Sequence, residues 1–231
     1  MCGRYLLTSP PDEVAATFAV DVRDNFPPRY NIAPTQPIGV IHINERRDKA
    51  FALMRWGFIP SWMDAEKGHP MNNARAETVA EKPSFRSAYK RRRCLVPADG
   101  FYEWTGEAGA RQPYLAAPAA GGLFGFAGIW ETCLAANGSE ADTVAILTIA
   151  AGPDMAALHH REPVVIDPDH YDLWLQTDER DMDQLTPLLH ARAEGYWRLT
   201  PVSTDVNNAR NDGPDLIRPV EVTRFKTDLF E

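Results

Sequence analysis

Cys94-Leu95-Val96-Pro97-Ala98-Asp99-Gly100-Phe101-Tyr102-Glu103-Trp104 holds two strand-like runs, residues 94–96 and 101–104, separated by a short stretch carrying Pro, Asp and Gly. Branched and aromatic residues fit a pleated, half-buried surface, and Pro, Asp and Gly break it. The same pattern recurs outward in both directions. Residues 38–43 and 50–56 read as strands on one side, and 123–131, 144–150 and 164–166 on the other. Helix signals are few and marginal. Ser9-Pro10-Pro11-Asp12 ahead of Val14, Ala15 and Phe18 reads as a capped start with Pro in the first turn. Residues 83–90, 153–158, 168–175 and 182–192 read as short helices. Strands joined by short loops, with helices at the margins, predict an α+β fold on a curved antiparallel sheet with a barrel-like core. The loosest segments, 105–111 and 135–142, have strand-like runs close on both sides, so they read as loops. Residues 1–231 are therefore expected to form a single domain.

The chain has 231 residues, of which 44% are hydrophobic and 24% charged, which is ordinary for a packed globular protein and excludes a disordered one. No apolar run approaches the ~20 residues of a membrane helix. The opening MCGRYLLTSP lacks the apolar core of a signal peptide, so a cytoplasmic protein is expected. Three cysteines (Cys2, Cys94 and Cys133) leave one unpaired in any disulfide scheme, and no C-x-x-C spacing supports a zinc site. A net charge of −8 excludes broad coating of a duplex through many Lys and Arg contacts, though not a confined basic groove.

Several stretches carry chemistry, each with a plainer alternative. Removal of Met1 leaves Cys2 with a free α-amine and an adjacent thiol. Such an amine has a pKa of about 7.7–8.0, well below that of Lys, so a substantial fraction is neutral and nucleophilic at physiological pH. It forms an imine with an aldehyde, and the thiol then closes a thiazolidine ring; otherwise Cys2 is only a small residue near a chain end. Asn72-Asn73-Ala74-Arg75-Ala76-Glu77-Thr78 offers a fork for phosphate and an amide to fix a nucleophile, or it is a solvated turn. Glu103 lies between large aromatics, where a carboxyl group suits acid/base work, or it faces outward on an alternating strand. Leu158-His159-His160-Arg161-Glu162-Pro163 offers an acid/base His and a phosphate-binding Arg, or a polar turn. Trp56, Phe58 and Trp62 read as stacking platforms for unpaired bases or as ordinary packing. Lys90-Arg91-Arg92-Arg93 lines a nucleic-acid channel or covers a solvated face. Residues 202–214, rich in Asn, Asp and Gly, form a loop that needs many hydrogen bonds if buried.

Read together, Cys2-Gly3-Arg4-Tyr5, Arg29-Tyr30-Asn31-Ile32-Ala33-Pro34-Thr35, Arg55-Trp56-Gly57-Phe58-Ile59-Pro60, Asn73-Ala74-Arg75-Ala76-Glu77-Thr78, Cys94-Leu95-Val96-Pro97 and Gly100-Phe101-Tyr102-Glu103-Trp104 resemble the SOS response-associated peptidase (SRAP) family over essentially the whole chain. Members of that family recognise abasic sites in single-stranded DNA. The resemblance implies Cys2 as the crosslinking nucleophile, Asn73 as the group that positions it, Glu103 as general acid/base, and His159 as an aid to sugar ring opening. It implies Arg75 and Arg161 on the flanking phosphates with help from Arg4, and the aromatic stretch with Trp56, Phe58 and Trp62 on neighbouring bases. The implied partner is single-stranded DNA containing abasic sites, met at the nucleoid during DNA damage, with no cofactor, metal or membrane and a monomeric protein. A lyase-like activity, a thiol (auto)peptidase built on Cys2, and a non-catalytic single-strand binding module are the competing readings.

The family's His motif usually reads Ile-His-Asp-Arg-Met-Pro, so His160 and Glu162 are departures. Glu162 is expected to place negative charge near a phosphate site and to disturb His159. A form retaining Met1 is expected to hold Cys2 in a cleft near Asn73, Glu103 and His159, with Met1 pointing outward or filling the lesion's space.

Overall fold

Runs of branched and aromatic residues form the long strands of this chain, and the short polar strands between them help to build the site. The computed structural model describes residues 2–63, 69–107, 110–134 and 138–222. In chain order its elements are β1 (Tyr5–Leu7), α1 (Pro11–Phe18), β2 (Arg29–Ile32), β3 (Pro37–Ile43), β4 (Lys49–Trp56), β5 (Asn73–Arg75), α2 (Arg86–Arg91), β6 (Arg93–Ala98), β7 (Gly100–Thr105), β8 (Gln112–Pro118), β9 (Phe124–Leu134), β10 (Glu140–Ala150), α3 (Pro153–Ala156), β11 (Arg161–Pro163), β12 (Val165–Ile166), α4 (Tyr171–Gln176) and β13 (Trp197–Pro201). The fold is α+β, as the strand-rich pattern predicts.

One sheet runs β13-β8-β7-β1-β2, and a larger one runs β11-β10-β4-β3-β6-β9-β12 with β5 joined to β10. All pairings are antiparallel except β10 with β4 and with β5. The opening stretch spans both sheets: β6 pairs with β3 and β9 in the larger, and β7 pairs with β1 and β8 in the smaller. Asp99 ties their junction to the N-terminal segment. Its Oδ2 accepts from Ser9 N at 2.8 Å and its Oδ1 accepts from Ser9 Oγ at 2.7 Å. The sheets close on a continuous core that includes Trp56, Trp174, Tyr5, Phe126, Phe101 and Ile41. Each large apolar side chain removed from water there contributes about 1.5–3 kcal/mol.

Strands β1, β2, β5, β8, β11 and β13 are not among the segments read as strands from the sequence, and two further features depart from that reading. Residues 182–192 do not form one amphipathic helix; a 3-10 segment covers Glu179–Leu188 and includes Pro187. Proline cannot donate the next helical hydrogen bond. The chain then extends, so that Arg192 reaches Asp167 at 2.6 Å and the carbonyl of Val165. Lys90, Arg91 and Arg93 of the basic run line a cavity of about 600 Å³, but Glu45, Asp178 and Glu179 line it too, and the arginines of the run are engaged within the protein. Arg92 pairs with the buried Glu131, Arg91 pairs with Glu179, and Arg93 is buried. Its Nε donates to Trp174 O at 2.6 Å and its Nη1 to Tyr89 O and Lys90 O at 2.7 Å.

Candidate active site

Three short elements converge on Cys2. Tyr5 pairs with Phe101 and Leu6 with Gly100, and Tyr102 N donates to Arg4 O. Carrying this register toward the N-terminus sets Gly3 opposite Glu103. Strand β7 is covered on both faces here, so Glu103 is buried at 4% exposure rather than turned to solvent. Its charge acts on both Cys2 and His159.

The second element, β5, is polar and too short to show an apolar period. It is held as a parallel strand on β10, with Asn73 opposite Ile146 and Arg75 opposite Thr148. Gly57 makes the approach to it possible. Its φ is +134°, and a Cβ there would lie 2.9 Å from the Cβ of Pro70. The turn lets Phe58 bridge Met71, and Trp56 Nε1 then donates to Asn72 O at 2.9 Å. Asn73, so placed, donates from Nδ2 to the carbonyl of Cys2 at 2.9 Å. Its Oδ1 is buried and has no partner among the described residues. Residues two apart on a strand share a face, so the exposed Arg75 lies on the Cys2 side of β5. It makes no ion pair among the described residues.

The third element is the turn into β11. The Arg161 N–H donates to His159 Nδ1 at 2.9 Å. Nδ1 also lies 3.2 Å from the Arg161 carbonyl, so it accepts from the N–H in the Nε2–H tautomer and donates to the carbonyl in the Nδ1–H tautomer. Burial holds the His159 pKa below its ordinary value against the opposing pull of Glu103. The His160 ring stacks on His159 with centroids 4.2 Å apart. Burial likewise pushes the Cys2 thiol well above its ordinary value, and the charge of Glu103 adds to the effect. Cys2 is thus fully buried and protonated.

Several sequence readings need correction. Trp56 and Phe58 are completely buried and cannot offer ring faces to bases. Trp56 instead packs edge-on to Tyr5 and fixes the backbone ahead of Asn73. Trp62 is exposed. Arg161 is buried, and its fork is occupied: Nη1 and Nη2 donate to the two Glu77 oxygens at 2.6 and 2.8 Å. A phosphate reaching it has to compete with Glu77. Glu162 is also buried, and it accepts from Gly152 N at 2.8 Å and Arg192 N at 2.7 Å, so its carboxylate is spent on backbone. Met1 and its expected placement lie outside the described residues.

Sequence reasoning missed the cleft beside Arg4. A cavity of about 670 Å³ is lined by Arg4, Trp104, Arg111, Gln112, Thr204 and Asn207, among others. Arg4 Nη1 is fixed by Asn31 Oδ1 at 2.7 Å and Val206 O at 2.6 Å, and the guanidinium lies over the Trp104 ring. Trp104 Nε1 donates to Asn207 Oδ1 at 2.7 Å. The 202–214 loop behind it is well satisfied, since Asn31 Nδ2 donates to the carbonyls of Val206, Asn208 and Asn211. Among the described residues no group of three or more His, Cys, Asp or Glu side chains is set to hold a metal, and no helix is long and apolar enough to cross a membrane.

A family model described as SOS response associated peptidase (SRAP) matches residues 1–209. YoqW of Bacillus subtilis (strain 168), named an abasic site processing protein, is 36% identical over 222 residues, covering 94% of this chain and 99% of its own length. YedK of Escherichia coli (strain K12), with the same descriptive name, is 30% identical over 231 residues, covering 95% of this chain and 100% of itself. HMCES of Xenopus tropicalis, also so named, is 30% identical over 271 residues, covering 98% of this chain and 80% of its own. A crystal structure of a protein from Bacteroides thetaiotaomicron shares the fold, with a TM-score of 0.82 at 22% identity over 95% of this chain and 100% of that one.

Proposed function

The chain belongs to the SOS response-associated peptidase (SRAP) family, and from that premise we propose that it captures abasic sites in single-stranded DNA as a covalent thiazolidine on Cys2. The observation that carries this reading is the convergence on one N-terminal residue: Asn73 holds the Cys2 carbonyl at 2.9 Å, while the charge of Glu103 reaches both Cys2 and His159. The abasic processing named for YoqW, YedK and HMCES agrees with it.

The chemistry follows from the site. Met1 is removed, and the freed α-amine of Cys2 attacks C1 of the ring-opened sugar aldehyde. A C–N bond forms, the nitrogen gives up a proton to the Glu103 carboxylate, and Glu103 passes it on to the former carbonyl oxygen. The carbinolamine loses water to give an imine. The thiol then adds to the imine carbon: a C–S bond forms, the thiol proton passes to nitrogen, and one water has left overall. His159, in the tautomer that carries its proton on Nε2, is suited to open the sugar ring by donating toward the ring oxygen. A protonated thiol suits this order of events, because the amine is the first nucleophile. It disfavours the thiol-peptidase alternative, which needs a thiolate at the start. Arg75 and the cleft of Arg4, Trp104 and Arg111 are the groups left open to flanking phosphates and a stacked neighbouring base.

Cys2→Ala tests the reading. The variant keeps the amine, which gives only a hydrolysable imine. It is expected to lose the heat-stable adduct on a denaturing gel while retaining reversible binding to the same abasic oligonucleotide. A heat-stable adduct from Cys2→Ala without reductant overturns the thiazolidine. The rate of wild-type adduct formation is expected to fall as pH drops below the α-amine pKa of about 7.7–8.0, because only the neutral amine attacks. The lowered His159 pKa keeps the ring neutral through that range, so imidazole protonation adds no further loss there.

A further inference from the structure

We propose that Glu77 is a positioning residue for this crosslinking step: its ion pair with Arg161 straps β5 to β11 across β10, holding Asn73 and His159 at a fixed spacing around Cys2. The inference rests on the proposed function for its kinetic meaning and on geometry for the strap itself.

Strand β10 has β5 on one edge and β11 on the other, with Thr148 opposite Arg75 and Pro163. The Arg161 side chain crosses β10 at that level. Its Nη2 donates to the carbonyl of Thr148, and its fork closes on Glu77 through two parallel bonds of 2.6 and 2.8 Å. Glu77 Oε1 also accepts from Ala150 N at 3.3 Å. The Arg161 side chain is 10% exposed and that of Glu77 is 42% exposed. A side chain that remains accessible to water commits both oxygens to one buried guanidinium. Paired forks fix orientation as well as adding energy. Each end of the strap is joined to a residue of the site. Glu77 follows Asn73 by four residues on a segment anchored by Ala76 N to Thr148 O, and the Arg161 N–H holds His159 Nδ1. Cutting the strap therefore loosens two of the groups around Cys2 while touching neither Cys2 nor the DNA-facing Arg75.

The test uses the full chain with Met1 removed, carrying Glu77→Gln or Glu77→Asp. Single-turnover crosslinking to an abasic single-stranded oligonucleotide is measured over DNA concentration. The tautomer of His159 is read by ¹⁵N NMR of the imidazole. A shift of about 1 Å in a reacting group can cost ~100-fold, and a loosened strap moves the site by less. Glu77→Gln is therefore expected to lower the saturating rate about tenfold with the half-saturating DNA concentration unchanged within twofold, and to shift the His159 tautomer ratio away from that of the wild type. Glu77→Asp keeps the charge and should recover part of both effects. A folded Glu77→Gln with wild-type rate and the wild-type tautomer ratio overturns the proposal, as does a loss confined to half-saturation. If Glu77→Gln does not fold, the Asp variant decides by the same two readouts. If the wild type forms no adduct, the proposed function falls and the tautomer alone judges the strap.

Discussion

The chain has two arginine populations, and they behave oppositely. Lys90-Arg91-Arg92-Arg93 is the contiguous run, and its three arginines are consumed by the protein itself: by Glu179, by Glu131, and by a cage of backbone carbonyls. Arg4, Arg75 and Arg111 are scattered through the sequence, yet they lie around the candidate site with binding capacity left over. A run of like charge says how much charge a segment carries. Whether that charge is available depends on the acceptors the fold brings to it. Glu131 and the carbonyls of Trp174 and Thr177 come from elements far along the chain, so the pairing was not visible locally.

The sharpest way to break this comparison is Arg93→Met. The substitution keeps much of the stem's bulk and removes the donors from the carbonyls of Tyr89, Lys90, Trp174 and Thr177. Each buried acceptor left without a donor costs ~1–3 kcal/mol. A loss of about 3 kcal/mol or more is expected, read as a fall in Tm on the order of 10 °C for a chain of this size. Affinity for single-stranded DNA, measured well below the new Tm, should not move. Weaker DNA binding with unchanged Tm would return the run to the DNA-binding surface.

The aromatics divide in the same manner. Trp56 and Trp104 are both indoles in strand-end motifs, but one is sealed behind Asn72 and the other lines an open cleft beside Arg4. Trp104→Ala is expected to weaken reversible single-strand binding by about 1–3 kcal/mol, the usual worth of a base stacked on an aromatic ring. Fluorescence anisotropy with an intact oligonucleotide measures this. Trp56→Phe should leave that affinity alone and slow crosslinking, because it frees the carbonyl that precedes Asn73. Equal affinity losses in the two variants would erase the distinction.

Much of the architecture was legible because β3, β4, β6, β7, β9 and β10 carry branched and aromatic residues at strand spacing. The strands missed, β1, β2, β5, β8, β11 and β13, are three to five residues long or interrupted by proline, too short or broken to show a period. Asn73–Arg75 is a polar tripeptide held by the edge of β10, and Gln112–Pro118 carries two prolines. At the site, Cys2, Asn73, Glu103 and His159 were each visible as an unusual residue in an unusual setting. Their meeting is tertiary: Asn73 reaches Cys2 from 71 residues away. Arg161 was legible as a cation but not as an interior one, since Glu77 lies 84 residues before it. Trp56 and Phe58 were misread for a related reason, because residue type does not record which face of a turn is covered.

The finest test sets one arginine of each population side by side. Arg75 is exposed and unpaired among the described residues; Arg91 is also well exposed but pairs with Glu179. Each phosphate neutralised on a single strand contributes about 0.7 to the slope of log affinity against log salt. Arg75→Ala is expected to make that slope shallower by about this amount and to reduce affinity several-fold at low salt, whatever the base sequence. Arg91→Ala should leave the slope unchanged, because its partner is an acidic side chain rather than a phosphate. Its stability cost should stay below ~1 kcal/mol, as for other exposed ion pairs. The two variants remove the same charge from the same acidic protein, so any general electrostatic effect appears in both. Only a difference in slope between them identifies the arginine that faces DNA. If Arg91→Ala flattened the slope as much as Arg75→Ala, charge at the end of α2 would be sensing the strand, and the division between consumed and available arginines would not hold.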